Sequence, residues 1–412
     1  MRIAYLVGQY PAINHGYILD EVRILRGNGL QIEVASVSLP DRPAALLGEI
    51  EREEFARTYY IKAVPKPAAA LAVLKHGLRS PRSLFKGLRC ALRMAPRTAG
   101  GVRRYLLYFV EAVLLVEWMK RSGLSHVHVT FSGSLGVIAC DLAPVTMSLA
   151  VHGFGEVFDP VGSRLAARIA ASSFVRSVSR HLRSLLMISC PAGEWAKLEH
   201  VPLGVDPEIF LPAPFRPAPR PFRMVCVGRL APEKGQRLLL QAAVILRERG
   251  CAVALHLVGD GPDRPALERI VASGGLGDCV CIEGPLHGSK LLSLYREMDA
   301  FVLASLYEGI PVVLMEAMSM QIPCVAPCIT GIPELIHDGL DGLLFAPADV
   351  EGLVAAIQRL VGSPELRRSL GVRARECVLR EYSIAANTRR FQDVLLRHLA
   401  ALSPSLQRAR TV

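Results

Sequence analysis

The 412-residue sequence has no uninterrupted run of the eighteen or so apolar residues that a membrane-spanning helix needs, although 51% of its residues are hydrophobic and its mean hydropathy is +0.32. The longest candidate, Tyr105 to Met119, is too short and carries Glu111 and Glu117. A leader is not expected either. Ile3 to Val7 is followed at once by Gly8 and Pro11, without a long apolar region or a small-residue cleavage site, and reads as a first buried strand. No G-x-G-x-x-G follows that strand, where L-V-G-Q-Y-P-A-I stands instead, which argues against a nicotinamide dehydrogenase. The ten cysteines are scattered; Cys226, Cys279 and Cys281 lie in apolar strand-like runs, where a thiol behaves as a small hydrophobe and suits a reducing cytosol. Cys324 and Cys328 are four apart without a His or Cys partner pair, which favours ordinary burial over zinc.

Acid is missing from one long stretch. Between Glu54 and Glu111 there is no Asp or Glu, while Lys62 to Arg104 holds eleven basic residues, equal to the whole net charge of +11. Leu71, Val73, Leu74, Leu78, Leu84, Phe85, Leu88, Leu92 and Met94 are interleaved with them, a mixture that suits an interfacial helix. Arg79, Arg82, Lys86 and Arg89 are therefore expected to dock the chain peripherally on an anionic membrane surface, whereas no nucleic-acid motif accompanies the charge and no nucleic-acid partner is expected.

What is present is an alternation of short β-branched runs and helical patterns in both halves, the signature of parallel sheets covered by helices. Arg2 to Val7, a helix from Tyr17 to Asn28 and the strand Gln31 to Ser38 make a βαβ unit; His126 to Phe131, Met147 to His152 and Phe174 to Val178 read as further strands. The segment from Leu71 to Ala95 is open, with helix as one option. Phe210 to Phe222 carries five prolines, too many for a helix or central strand, and reads as a stiff hinge. The alternation then restarts with a strand at Arg223 to Val227, a helix at Gln236 to Arg249 and a strand at Ala252 to Val258, and the chain closes on Ser403 to Val412, which reads as a frayed basic tail.

Two constellations carry chemistry. In V-C-V-G-R-L-A-P-E-K-G a strand ends at Gly228, and Arg229 and Lys234 flank a turn leading into a helix. A helix N-terminus with a guanidinium and an ammonium can stabilise charge developing on a diphosphate. The bland alternative is a pair of solvated loop cations. In S-L-Y-E-G-I-P-V-V-L-M-E-A-M, Ala300 to Ala304 reads as a buried strand, Ser305 to Ile310 as a loop, and Pro311 as a first-turn residue of the next helix. The spacing allows Glu308 in the loop and Glu316 in the helix to face one crevice, with Gly309 permitting close backbone approach. Otherwise Glu308 caps the helix and Glu316 lies on the surface, yet Glu316 sits in an apolar helix where burying an acid is costly.

With the following G-I-P-E-L-I-H-D-G-L-D-G-L-L-F, these blocks resemble the C-terminal domain of glycosyltransferase family 4, over roughly Pro221 to Leu360 and more weakly at Leu203-Gly204-Val205-Asp206. The opening Y-P-A-I-N-H-G-Y-I-L-D-E resembles members that build bacterial exopolysaccharides and colanic-acid-type glycans, although Asn14, His15 and Gly16 stand where many relatives carry a Gly pair. The resemblance implies an α/β GT-B fold, two doubly wound Rossmann-like domains facing a central cleft. It implies an acceptor-binding domain over 1–210, a linker over 211–222, a nucleotide-sugar donor domain over 223–385, and a helix and tail over 386–412 that could pack back on the first domain. By the same resemblance Arg229 and Lys234 bind the donor diphosphate, Glu308 and His152 (in S-L-A-V-H-G) serve the reaction centre, and Glu316, Gly309, Ile310 and Pro311 hold the donor ribose and sugar. Gly259, Gly284 and Leu286 shape the nucleotide pocket.

The implied enzyme is a retaining transferase moving a sugar from a nucleotide-diphosphate donor to a glycan or polyprenyl-diphosphate-linked acceptor in exopolysaccharide or cell-surface glycan biosynthesis. It is expected in the cytoplasm, at the inner face of the membrane. No cofactor or metal is expected: no D-x-D pair occurs, and the cations can do the work of Mg²⁺. Rival readings are a nucleotide-sugar epimerase of the same fold, which would form no glycosidic bond, and a silent scaffold of a glycan-assembly complex, against which the full set of charged motif residues argues.

Overall fold

The computed structural model describes residues 2–409, without the side chains of Asn14, Phe154 and residues 403–409. It divides into two compact units, one made of 1–178, 182–201 and 388–412, the other of 179–181 and 202–387. Each is built on one parallel sheet.

The first sheet holds β1 (Arg2–Gln9), β2 (Gln31–Ser38), β3 (Tyr59–Tyr60), β4 (His126–Thr130), β5 (Thr146–Val151), β6 (Ser172–Ser177) and β7 (Leu198–His200), in the order β3-β2-β1-β4-β5-β6-β7. The second holds β8 (Phe222–Val227), β9 (Val253–Val258), β10 (Val280–Gly284), β11 (Ala300–Val302), β12 (Cys324–Pro327) and β13 (Leu343–Phe345), in the order β10-β9-β8-β11-β12-β13. In both, the first strand lies between the second and the fourth, so the order reverses there, and the loops at the carboxyl ends of the central strands open a site. The central strands are apolar nearly throughout, as expected of strands buried on both faces, with Ile3, Leu6, Val225 and Phe301 fully inaccessible.

The first core gathers Ile3, Tyr5, Val7, Ile18, Val22 and Phe174 with Phe391, Val394, Leu395 and Leu399 of the last helix, Ile384–Ala409. That helix begins in the second unit and ends in the first. It continues to Ala409, into the stretch that reads as a frayed tail; Arg410 to Val412 lie outside the described residues. Arg176, inside this core, is paired with Glu21 and lies 4.6 Å from the Phe391 ring centroid.

The proline-rich segment differs from the expected hinge. It belongs to the second unit, and the division falls at Pro202 and within the last helix. The prolines leave carbonyls available as acceptors, and Arg367 donates to Pro217 O at 2.7 Å while its guanidinium lies over Phe215 and Phe222. Arg216 adds an ion pair to Asp299 at 2.8 Å.

Residues 66–94 form two helices, Lys66–Arg79 and Pro81–Met94, the second starting on its own proline. Gly87, Ala91 and Met94 are buried, whereas Leu71, Leu74, Leu78, Phe85 and Leu92 are exposed, as are Arg79, Arg82, Lys86 and Arg89. Tyr105 to Met119 lies within the helix Ala99–Arg121, and among the described residues no helix is long and apolar enough to cross a membrane.

Candidate active site

In the second unit the carboxyl ends of β8, β9 and β10 are tied in series. Gly228 N–H donates to Val258 O and Gly259 N–H donates to Gly284 O, each at 2.9 Å. Gly259 has φ +138°, and a Cβ there would lie 2.0 Å from Gly228 O, so only glycine lets these loops close. Gly284 ends β10, and Leu286 follows it half-buried.

Beyond β8 the chain makes a short turn at Pro232–Lys234 and enters the helix Gln236–Glu248 through Gly235, at φ +63°. A Cβ on Gly235 would stand 1.9 Å from Ala304 O, so the turn is pressed onto the exit of β11. That contact brings Lys234 to Glu308: Nζ lies 2.6 Å from Oε1, which also accepts from Ser305 Oγ at 2.6 Å. Glu308 is buried, and its backbone is clamped by Thr330, whose hydroxyl donates to Glu308 O at 2.5 Å. Arg229 is more exposed and pairs with Glu233, while its carbonyl accepts from the buried Gln236 at 2.9 Å.

Gly309, Ile310 and Pro311 lead into the helix Val312–Ser319, with Pro311 just ahead of its first turn, at the N-cap. Glu316 is half-buried and accepts from Tyr295 OH at 2.9 Å. Burial pushes its carboxyl up to about 7, against the opposing bond from Tyr295. The two glutamates thus take different partners, where the spacing alone points them at one crevice.

In the first unit His152 follows β5. Its backbone N–H donates to Glu156 Oε2 at 2.9 Å, and Nδ1 lies 3.4 Å from Tyr17 OH. Its ring stands 4.8 Å from Phe131, on which His15 stacks at 4.6 Å. These residues come from the loops after β1, β4 and β5, at the carboxyl edge of the sheet. Burial, helped by Arg176 and His15, holds the His152 imidazole well below its usual range, so it is neutral. Burial likewise raises the Glu156 carboxyl to about 7. Among the described residues, His152 Nε2 and Glu156 Oε1 have no hydrogen-bond partner. Neither spacing nor resemblance marks Glu233, Ser305, Thr330, Phe131 or Glu156, because each acts through a partner distant in sequence or through an ordinary residue type. Phe131, at φ +64°, occupies a conformation that a bulky residue rarely takes.

Chemically, the arrangement offers a buried carboxylate locked to an ammonium, a guanidinium one strand away, and a helix N-terminus at the reversal point of a parallel sheet. This is the architecture of a nucleotide-dependent α/β enzyme of the GT-B type. Residues 221–363 match the family described as Glycosyl transferases group 1. The amylovoran biosynthesis glycosyltransferase AmsK of Erwinia amylovora is 31% identical over 381 residues, covering 87% of this chain and 90% of that protein. Alpha-D-kanosaminyltransferase of Streptomyces kanamyceticus is 36% identical over 160 residues, 39% of this chain and only 42% of that protein. The crystal structure of Anabaena HepE in complex with UDP-glucose superposes with a TM-score of 0.73 at 16% identity, covering 96% of this chain and 100% of that one. The chain belongs to the group 1 glycosyltransferases and is a transferase enzyme.

Proposed function

We propose that this chain transfers a sugar, with retention and without a metal, from a nucleotide-diphosphate sugar to a glycan or polyprenyl-diphosphate-linked acceptor in exopolysaccharide or cell-surface glycan assembly. The observation that carries the reading is the Lys234–Glu308 pair at the reversal point of the second sheet, with Arg229 at the end of the adjoining strand. Two cations and a helix N-terminus supply the charge that a leaving diphosphate requires. Arg229 and Lys234 hold the diphosphate, Glu308 fixes the ammonium and lies beside the transferred sugar, and Glu316 accepts from the ribose. Gly309, Ile310 and Pro311 line the sugar side, and Gly259, Gly284 and Leu286 bound the nucleotide. Neutral His152, with Nε2 unpartnered among the described residues, is suited to hydrogen-bond the sugar or acceptor.

In the reaction, the bond from the anomeric carbon to the diphosphate oxygen breaks and one to the acceptor oxygen forms on the same face. The acceptor proton then passes to the departing phosphate oxygen. The names of AmsK and its kind favour an exopolysaccharide product, and the UDP-glucose of HepE favours a nucleoside-diphosphate donor. The exposed apolar and basic face of the helices Lys66–Arg79 and Pro81–Met94 supports peripheral docking at the inner face of the cytoplasmic membrane, where a lipid-linked acceptor resides.

The test begins with thermal shift against UDP-, GDP- and dTDP-sugars, followed by NMR of the product formed in excess chelator. The expected product keeps the donor's anomeric configuration and forms at the same rate with and without chelator. An inverted product, or activity abolished by chelator and restored by Mg²⁺ or Mn²⁺, contradicts the mechanism.

A further inference from the structure

The edge of the second sheet carries a group of side chains that the transfer reaction does not use. β9 and β10 run parallel with Cys281 opposite His256, so both side chains leave the same face. Glu283 stands two residues further along β10 on that face, at a shift in register between Ile282 and Gly284, a device that commonly re-aims a side chain. The Glu283 carboxylate meets His256 Nδ1 at 2.7 Å, and the Cys281 thiol lies beside the pair. One nitrogen, one sulfur and one oxygen from these residues all lie within 4.8 Å of one another. Cys281, which its apolar surroundings in sequence place in the core, is exposed, and His256 and Glu283 are half-buried, so solvent can supply a fourth ligand.

We propose that His256, Cys281 and Glu283 form a binding site for a borderline-soft divalent ion of the zinc class, completed by water. At bond lengths of roughly 2.0–2.3 Å, tetrahedral ligand atoms stand about 3–4 Å apart, close to the present spacing, so side-chain rotation alone closes the site. Thiolate and imidazole select zinc-class ions over Mg²⁺ or Ca²⁺, which take oxygen ligands. Binding displaces the thiol proton to solvent and replaces the His256–Glu283 bond with two bonds to the ion. The ion would staple β9 to β10 just before Gly259 and Gly284, whose mutual hydrogen bond ties the following loops. The site stands independently of the transferase reading.

The experiment titrates the full-length, reduced, metal-stripped chain with Co²⁺. One equivalent should bind, with a thiolate-to-cobalt charge-transfer band that Zn²⁺ bleaches. The band should vanish in Cys281→Ser and persist in Cys328→Ser, the control at the other exposed cysteine. His256→Ala and Glu283→Gln should each weaken Zn²⁺ binding about tenfold or more. Absence of the band from the parent chain overturns the proposal whether or not any variant folds. A band that survives Cys281→Ser, or one lost in Cys328→Ser, overturns it as well. Sugar transfer, measured in parallel, is a separate readout, so the two readings fail separately.

Discussion

Lys234 and Arg229 carry the same charge yet are held differently, and their variants should behave differently. Lys234 is bonded to a buried carboxylate, so Lys234→Ala leaves Glu308 with Ser305 as its remaining side-chain partner and should cost about 1–3 kcal/mol of stability. Arg229 forms a more exposed pair, and Arg229→Ala should leave the melting temperature nearly unchanged. Both should lower turnover on the order of a hundredfold, by loss of a preorganised positive charge. Parent-like rates in both folded variants would remove the diphosphate assignment. The buried acids add a pH signature. Glu156 keeps its proton in the native state up to about 7, well above the 4.5 of an ordinary glutamate. Its contribution to stability is therefore greatest below about 4.5 and falls as pH rises toward 7. Neutral His152 works the other way, losing stability as pH falls below 6.5. Comparing denaturant unfolding of the parent with Glu156→Gln across pH 4.5–7.5 isolates the acid's term: the parent should lose ground to the variant as pH rises, and parallel curves would refute the assignment.

At the scale of elements, the turn between β8 and its helix is built on one glycine. Gly235 has φ +63° and packs against the Ala304 carbonyl, so Gly235→Ala combines backbone strain with a clash and should cost about 1–3 kcal/mol. A melting temperature within a degree of the parent would contradict this close approach. The strands of the second unit are legible in sequence because parallel, doubly buried strands are short apolar runs, and β8, β9 and β11 fall where those runs stand. The basic segment is less legible. The second helix buries a narrow side through Gly87, Ala91 and Met94 and exposes Phe85 and Leu92 beside arginines, while the first exposes Leu71, Leu74 and Leu78, so the apolar residues do not all mark the core.

At the scale of the whole molecule, the exposed leucines, Phe85 and the basic residues give the membrane proposal its surface. Each basic side chain near an anionic bilayer contributes roughly 1 kcal/mol, falling off within a Debye length, so attachment should be firm and salt-sensitive. Sedimentation with anionic vesicles should recover the protein, high salt should release it, and Glu at positions Arg79, Arg82, Lys86 and Arg89 together should weaken binding. Equal binding to neutral vesicles, or none to either, would end the electrostatic docking idea and leave the transferase assignment intact.

What the sequence by itself determined is what depends on neighbours along the chain: the two parallel-sheet domains, through short-range alternation, and the ends of β8 and β11, after which Arg229, Lys234 and Glu308 stand. Only the tertiary structure decided which groups meet. The pairing of Lys234 with Glu308, the clamp of Thr330 on Glu308, the packing of Phe131 between His15 and His152, and the turn of Cys281 and Glu283 toward His256 all join residues carried on different strands or on the segments that follow them. The proline-rich segment makes the same point: its composition excludes helix and central strand, but whether it hangs free or packs is set by a distant guanidinium, Arg367, seeking carbonyl acceptors. Local pattern follows from dihedral preference and burial periodicity, whereas contacts across a sheet follow from its strand order, which no single stretch of sequence encodes.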